Sequence, residues 1–88
     1  MKVCVKLYGT LVRHISESIR SRYPDGLRAG QELELQLSEA STLKDLLERL
    51  ELRRKDVVAI FVDGRARDDA YTLSNEDRVG IFPPVGGG

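Results

Sequence analysis

The sequence predicts a two-layer α+β domain, a mixed sheet of four to five strands packed on one main helix, with an extra helical insert after the first strand. Three observations carry this. Segments with apolar residues at every second position open the chain and recur near its middle, the signature of half-buried strands. A single leucine-rich stretch repeats at helical spacing with a cap at its start. At 88 residues, the chain has room for one compact core and not for two.

The elements follow in order. "KVCVKLYG" alternates, with Val3, Val5 and Leu7 on one face and Lys2, Cys4, Lys6 and Tyr8 on the other, so residues 2–8 read as strand. Leu11, Ile15 and Ile19 recur every four residues, with Val12 and Tyr23 near the same stripe, which predicts an amphipathic helix over residues 11–22. "YPDG" closes it, since Pro24 disfavours helix at Tyr23 and Asp25-Gly26 supplies turn chemistry. "ELELQL" places Leu33, Leu35 and Leu37 inward and Glu32, Glu34 and Gln36 outward. "STLKDLLERLEL" is the main helix, with Thr42 as N-cap, Asp45 three residues on, and Leu43, Leu46, Leu47 and Leu50 in one stripe. "VVAIFV", residues 57–62, is nearly continuous in apolar character and predicts a central strand shielded on both faces. Asp63-Gly64 turns the chain, and a short stretch from Arg65 to Arg67 pairs back. "DRVGIF", residues 77–82, is the last strand, ended by Pro83-Pro84, which cannot donate to a ladder.

Composition narrows the function. Apolar residues make up 41%, too many for a disordered chain. The longest apolar run, Val57 to Val62, is far shorter than a membrane span. A single cysteine forms no internal disulfide, which fits a reducing, cytoplasmic setting, and no signal peptide is evident. The 14 basic and 14 acidic side chains cancel, so no field draws nucleic acid. The charge is uneven, basic over residues 1–30 and acidic over 31–52, an asymmetry suited to orienting a protein partner or simply to solvated faces.

Catalytic material is scarce. His14 is the only histidine and falls on a helix surface. Cys4 lies opposite the core face, with no second cysteine or histidine to make a metal site or an activated nucleophile. Asp63, Asp68 and Asp69 lack calcium-loop spacing and read as loop acids. The terminal glycines precede no helix and form no phosphate loop. What is left is the end, "FPPVGGG". Pro83 and Pro84 favour an extended stem; Val85 is small; Gly86, Gly87 and Gly88 have no side chain. The six residues after Phe82 reach roughly 20 Å when extended. Residues 1–82 thus form a body and 83–88 a flexible, slender tail tipped by a carboxylate, which fits a channel too narrow for other residue types. Fraying and a cloning scar are the plainer readings of the same glycines.

"KVCVKLYGTL", "STLKDLLERL", "IFVDG" at residues 60–64 and above all "LSNEDRVGIFPPVGGG" at residues 73–88 resemble the MoaD/ThiS family, ubiquitin-like β-grasp sulfur carriers, and within it the molybdopterin synthase small subunits. The resemblance implies that Gly88 is adenylated with ATP by a partner related to ubiquitin-activating enzymes and converted to a thiocarboxylate. It implies further that the tail enters a molybdopterin synthase large subunit, where sulfur passes to a pterin precursor in molybdenum or tungsten cofactor biosynthesis. On this view the chain is not an enzyme alone and binds no cofactor or metal. By position, Tyr8 and Phe82 match apolar residues that dock on both partners. Ala66 matches a third docking position but is smaller than that position implies. Glu76 stands where a glycine commonly completes the turn, and residues 11–29 carry the least resemblance. A thiamin-type sulfur carrier and a ubiquitin-like modifier conjugated through Gly88 share the same activated tail and remain alternatives. A plain interaction domain is the third reading.

Overall fold

A computed structural model describes residues 1–84. Its five strands are β1 (Lys2–Leu7), β2 (Glu32–Gln36), β3 (Ala59–Val62), β4 (Arg65–Ala66) and β5 (Arg78–Phe82), in the spatial order β2-β1-β5-β3-β4. β1 and β5 run parallel and every other pair is antiparallel. The mixed sheet on one main helix is the ubiquitin-like β-grasp arrangement.

That helix, α2 (Leu43–Leu50), begins as its sequence dictates. The Thr42 hydroxyl accepts from the Asp45 N–H at 3.2 Å while an Asp45 carboxylate oxygen accepts from the Thr42 N–H at 2.8 Å, so two otherwise unpaired donors are satisfied reciprocally. It ends with Glu51 in the left-handed region and the Leu52 N–H reaching the Leu47 carbonyl at 3.0 Å. Leu43, Leu46, Leu47 and Leu50 join Val3, Val5, Leu7, Leu33, Leu35, Val79 and Ile81 in one apolar core. Each such side chain contributes about 1.5–3 kcal/mol by leaving water. This layer occupies one face of the sheet only.

Two expectations are corrected. Residues 11–22 do not form one helix. A 3-10 turn over Gly9–Arg13 is followed by a single turn of α-helix, α1 (Glu17–Arg20). The break is Ser16, extended at ψ 145°, whose N–H goes to the Leu50 carbonyl at 2.9 Å. That bond satisfies an open carbonyl at the end of α2 and prevents the helical ladder from passing Ser16. Leu11, Ile15 and Ile19 are nonetheless all buried; the four-residue spacing recorded burial and not helix.

Nor is the segment 57–62 central or shielded on both faces. The central strand is β5, and β3 lies beside it. Ile60 and Val62 point into the core, whereas Phe61 is 37% exposed and Val58 is 56% exposed. The alternation was hidden because the outward positions are apolar too.

The remaining strands stand close to where the sequence put them, with Leu37 only half-buried just past β2. Glu76 has φ 69°, a conformation that favours glycine; this is why a glycine is expected at that turn, and the glutamate adopts the strained conformation in its place. Among the described residues no helix is long and apolar enough to cross a membrane.

Candidate functional site

Among the described residues none forms a layer over the face of the sheet away from α2, and its side chains grade from acidic to basic to aromatic. Strand register sets the order. Glu34 lies beside Cys4 and Cys4 beside Arg78; Glu32 lies beside Lys6 and Lys6 beside Gly80. Gly80 is next to Phe61, Phe61 next to Ala66, and Phe82 next to Ala59.

The aromatic part consists of three rings. The Tyr8 and Phe82 rings stack with centroids 4.4 Å apart and planes within 1° of parallel. Phe61 meets Phe82 edge-on at 5.6 Å. A Cβ on Gly80 would sit 3.4 Å from the Phe82 ring and 3.6 Å from the Tyr8 ring, and one on Gly30 would sit 3.6 Å from Tyr8. A methyl group at either position would thus meet the rings at ordinary van der Waals distance, so the stack itself does not demand glycine there. Stacked and edge-on pairs each add about 0.5–1.5 kcal/mol beyond area burial, so the rings are held in place while one side remains open to solvent.

The stack marks where the chain leaves the sheet. The Tyr8 N–H donates to the Ile81 carbonyl at 3.1 Å, and the Val58 N–H donates to the Phe82 carbonyl at 2.8 Å. β5 is therefore gripped on both flanks through Phe82. Pro83, without an N–H, cannot extend the ladder. The expected working end, Val85, Gly86, Gly87 and Gly88, lies outside the described residues; Pro83 and Pro84, its stem, lie within them.

Of the expected docking residues, Tyr8 and Phe82 are brought into direct contact. Ala66 is exposed on the edge strand, in register with Phe61. Phe61, which the sequence reading buried, is the large apolar side chain beside Ala66. The signal was available in its parity: with Ile60 and Val62 inward, Phe61 must face the other way.

The residues set aside as catalytic stay apart. His14 is exposed after the 3-10 turn. Asp63 accepts the Arg78 N–H at 3.1 Å, Asp68 accepts the Ala70 N–H at 2.9 Å, and Asp69 pairs with Arg54 at 2.9 Å. Each carboxylate is thus committed to a loop or strand end. Among the described residues no group of acidic, histidine and cysteine side chains is placed to hold a metal ion. Cys4 is half-buried on the open face; loss of water and then the charges of Glu32 and Glu34 push its thiol up, against smaller opposing effects of Lys2 and Arg78. A raised thiol is a poor nucleophile at neutral pH.

Comparison with known proteins bears on what this face and stem serve. The family model of the ThiS family matches residues 22–88. SAMP1 from Haloferax volcanii superposes with a TM-score of 0.64 at 15% identity, over 100% of both chains. A Pyrococcus furiosus protein described as molybdopterin converting factor, subunit 1, superposes at 0.61 with 26% identity, covering 97% of this chain and 99% of that one. A structure of the complex of subunits 1 and 2 of molybdopterin-converting factor from Helicobacter pylori matches at 0.57 with 22% identity, over 100% of both chains. No curated protein matches the sequence.

Proposed function

We propose, for a chain that belongs to the ThiS family, that it is a sulfur carrier acting through the carboxylate of Gly88, and that its acceptor pathway is molybdopterin synthesis. The observation that carries this is the placement of the stem. "FPPVGGG" starts at Phe82, the residue that both closes the central strand and stacks in the exposed aromatic cluster. A partner seated on that cluster therefore receives the following residues in a defined place.

The chemistry requires no catalytic group on this chain. A carboxylate is a poor electrophile. In the active site of an adenylating partner the Gly88 oxygen attacks the α-phosphorus of ATP, pyrophosphate leaves, and an acyl adenylate forms. A sulfur nucleophile at the hydrosulfide level then attacks the carbonyl carbon, the bond to AMP breaks, and a thiocarboxylate remains. The chain's own contributions are a rigid aromatic docking face, a stem without ladder donors, and glycines that admit close walls. The large subunit of a molybdopterin synthase is the proposed sulfur-receiving partner, in line with the 26% identity over 97% of the chain to a molybdopterin converting factor subunit 1. ATP is the partner's substrate and this chain holds no cofactor of its own.

A second reading, a protein modifier joined to lysines through Gly88, is favoured by the similarity to small archaeal modifier protein 1. Both readings pass through the same adenylate. Incubation with ATP, the activating enzyme and a sulfide source, followed by intact mass, separates them. One oxygen-to-sulfur exchange on the free chain supports the carrier. Isopeptide adducts without that exchange overturn it in favour of the modifier.

A further inference from the structure

We infer that Gly9 is a positioning residue which sets the direction in which Pro83-Pro84 departs from the sheet; this rests on the reading of Gly88 above. Gly9 follows Tyr8 at the end of β1, next to the point where β5 ends. Its φ is +60°, and a Cβ at this position would stand 2.7 Å from Cγ of Pro83, 3.5 Å from its Cδ and 3.9 Å from its Cβ. Side-chain carbons do not approach that closely, so a methyl group here forces the Pro83 ring to change its pucker at Cγ or to shift as a whole.

The contact is specific to this glycine. Gly26 at φ +93° and Gly64 at φ +85° also have positive φ, yet a Cβ on either would meet nothing within 4 Å, so they answer to backbone conformation alone. Gly9 answers to conformation and to Pro83. Phe82 is already fixed by the Tyr8 stack and by the Val58 hydrogen bond. The first torsions free to swing the stem are those joining Phe82 to Pro83, and the missing side chain at Gly9 leaves the Pro83 ring its place on the β1 side. Both prolines hold φ at about −65°, so a direction set at Pro83 is passed on through Pro84. The 3-10 turn that begins at Gly9 thereby forms a seat for the stem, whose other lining includes Leu11, His14 and Asp56.

The test is ATP–pyrophosphate exchange with the purified activating enzyme of the same source organism, alongside thermal unfolding. Gly9→Ala should lower kcat about tenfold to a hundredfold, the scale of a misplacement near 1 Å, with KM little changed because the aromatic face is intact. Gly26→Ala, which carries positive-φ strain without the contact, should shift unfolding and leave kcat at the wild-type value. Pro83→Ala removes the clashing Cγ, so Gly9→Ala added to it should cost no further rate. Gly9→Asn tolerates the left-handed region better yet brings the same Cβ, and replaces Gly9→Ala if that variant loses its fold. Equal kcat in Gly9→Ala and Gly26→Ala overturns the inference while leaving the Gly88 reading intact, as does a Gly9→Ala effect that multiplies undiminished with Pro83→Ala. No exchange with the wild-type chain overturns both.

Discussion

Phe61→Ala separates docking from folding more cleanly than any other change to this face. In the folded chain Phe61 makes one edge-on ring contact, to Phe82 at 5.6 Å, and is 37% exposed. Removing it loses that pair, about 1 kcal/mol, and the burial of a ring that is already partly wet, about 1 kcal/mol more, which in a domain of this size lowers Tm by about 8–16 °C. In a complex the same ring becomes fully dry at the centre of an aromatic patch, where truncation costs about 2 kcal/mol or more. Kd for the activating partner should then rise about thirtyfold. Phe82→Ala is the contrast. It forfeits the 4.4 Å stack as well as the edge contact, so its loss of stability should be about twice as large. Calorimetric titration against the purified partner and thermal unfolding of each free variant give the two numbers. An unchanged Kd in Phe61→Ala, or a Tm loss as large as that of Phe82→Ala, would refute the assignment of this face as the docking surface.

Other consequences can be checked individually. Tyr8→Lys should weaken partner binding more than it lowers Tm, because a charge replaces a half-exposed ring of the stack; equal losses in both would make Tyr8 a core residue. Leu46→Ala, at a position with 0% exposure, should cost about 2–5 kcal/mol in urea unfolding while the folded fraction keeps its adenylation rate. The Asp45 carboxyl is held below its ordinary range by the Thr42 N–H and then by the Thr42 hydroxyl. Its folded pKa is thus below the unfolded one, so the capping contribution is present at neutral pH and fades as pH falls through the acidic range below about 4. Asp45→Asn should flatten that part of the stability–pH profile, and an unchanged profile would contradict the cap. Cys4 should alkylate with iodoacetamide more slowly than a free thiol at mildly alkaline pH, and Glu32→Gln with Glu34→Gln should speed it, since those charges raise the thiol; no acceleration would contradict that cause.

The strands and α2 were legible because their patterns were redundant. In "ELELQL" period two and charge alternate together, and in α2 the leucine stripe is preceded by its own cap. The insert misled because burial at Leu11, Ile15 and Ile19 imitates a helix, while the decisive interaction joins Ser16 to the distant Leu50 and leaves no local mark. β3 misled for a related reason: its outward residue on the uncovered face is Phe61, which erased the polar half of the alternation. Tyr8 and Phe82 were read as docking residues from their positions, but their stacking over Gly80 and Gly30 depends on the parallel pairing of β1 with β5. Gly9 gave no sign in sequence, since its partner Pro83 is brought to it only by that pairing.

The central claim concerns one carbonyl carbon. Wild-type chain and a variant lacking Gly88 are incubated with ATP, activating enzyme and sulfide, and the products are read by tandem mass spectrometry. A carrier working through Gly88 shows a sulfur-for-oxygen exchange confined to the Gly88 carboxyl and none in the deletion, with the unfolding curves of the two chains superimposable. Sulfur at Cys4, or full turnover without Gly88, would contradict it.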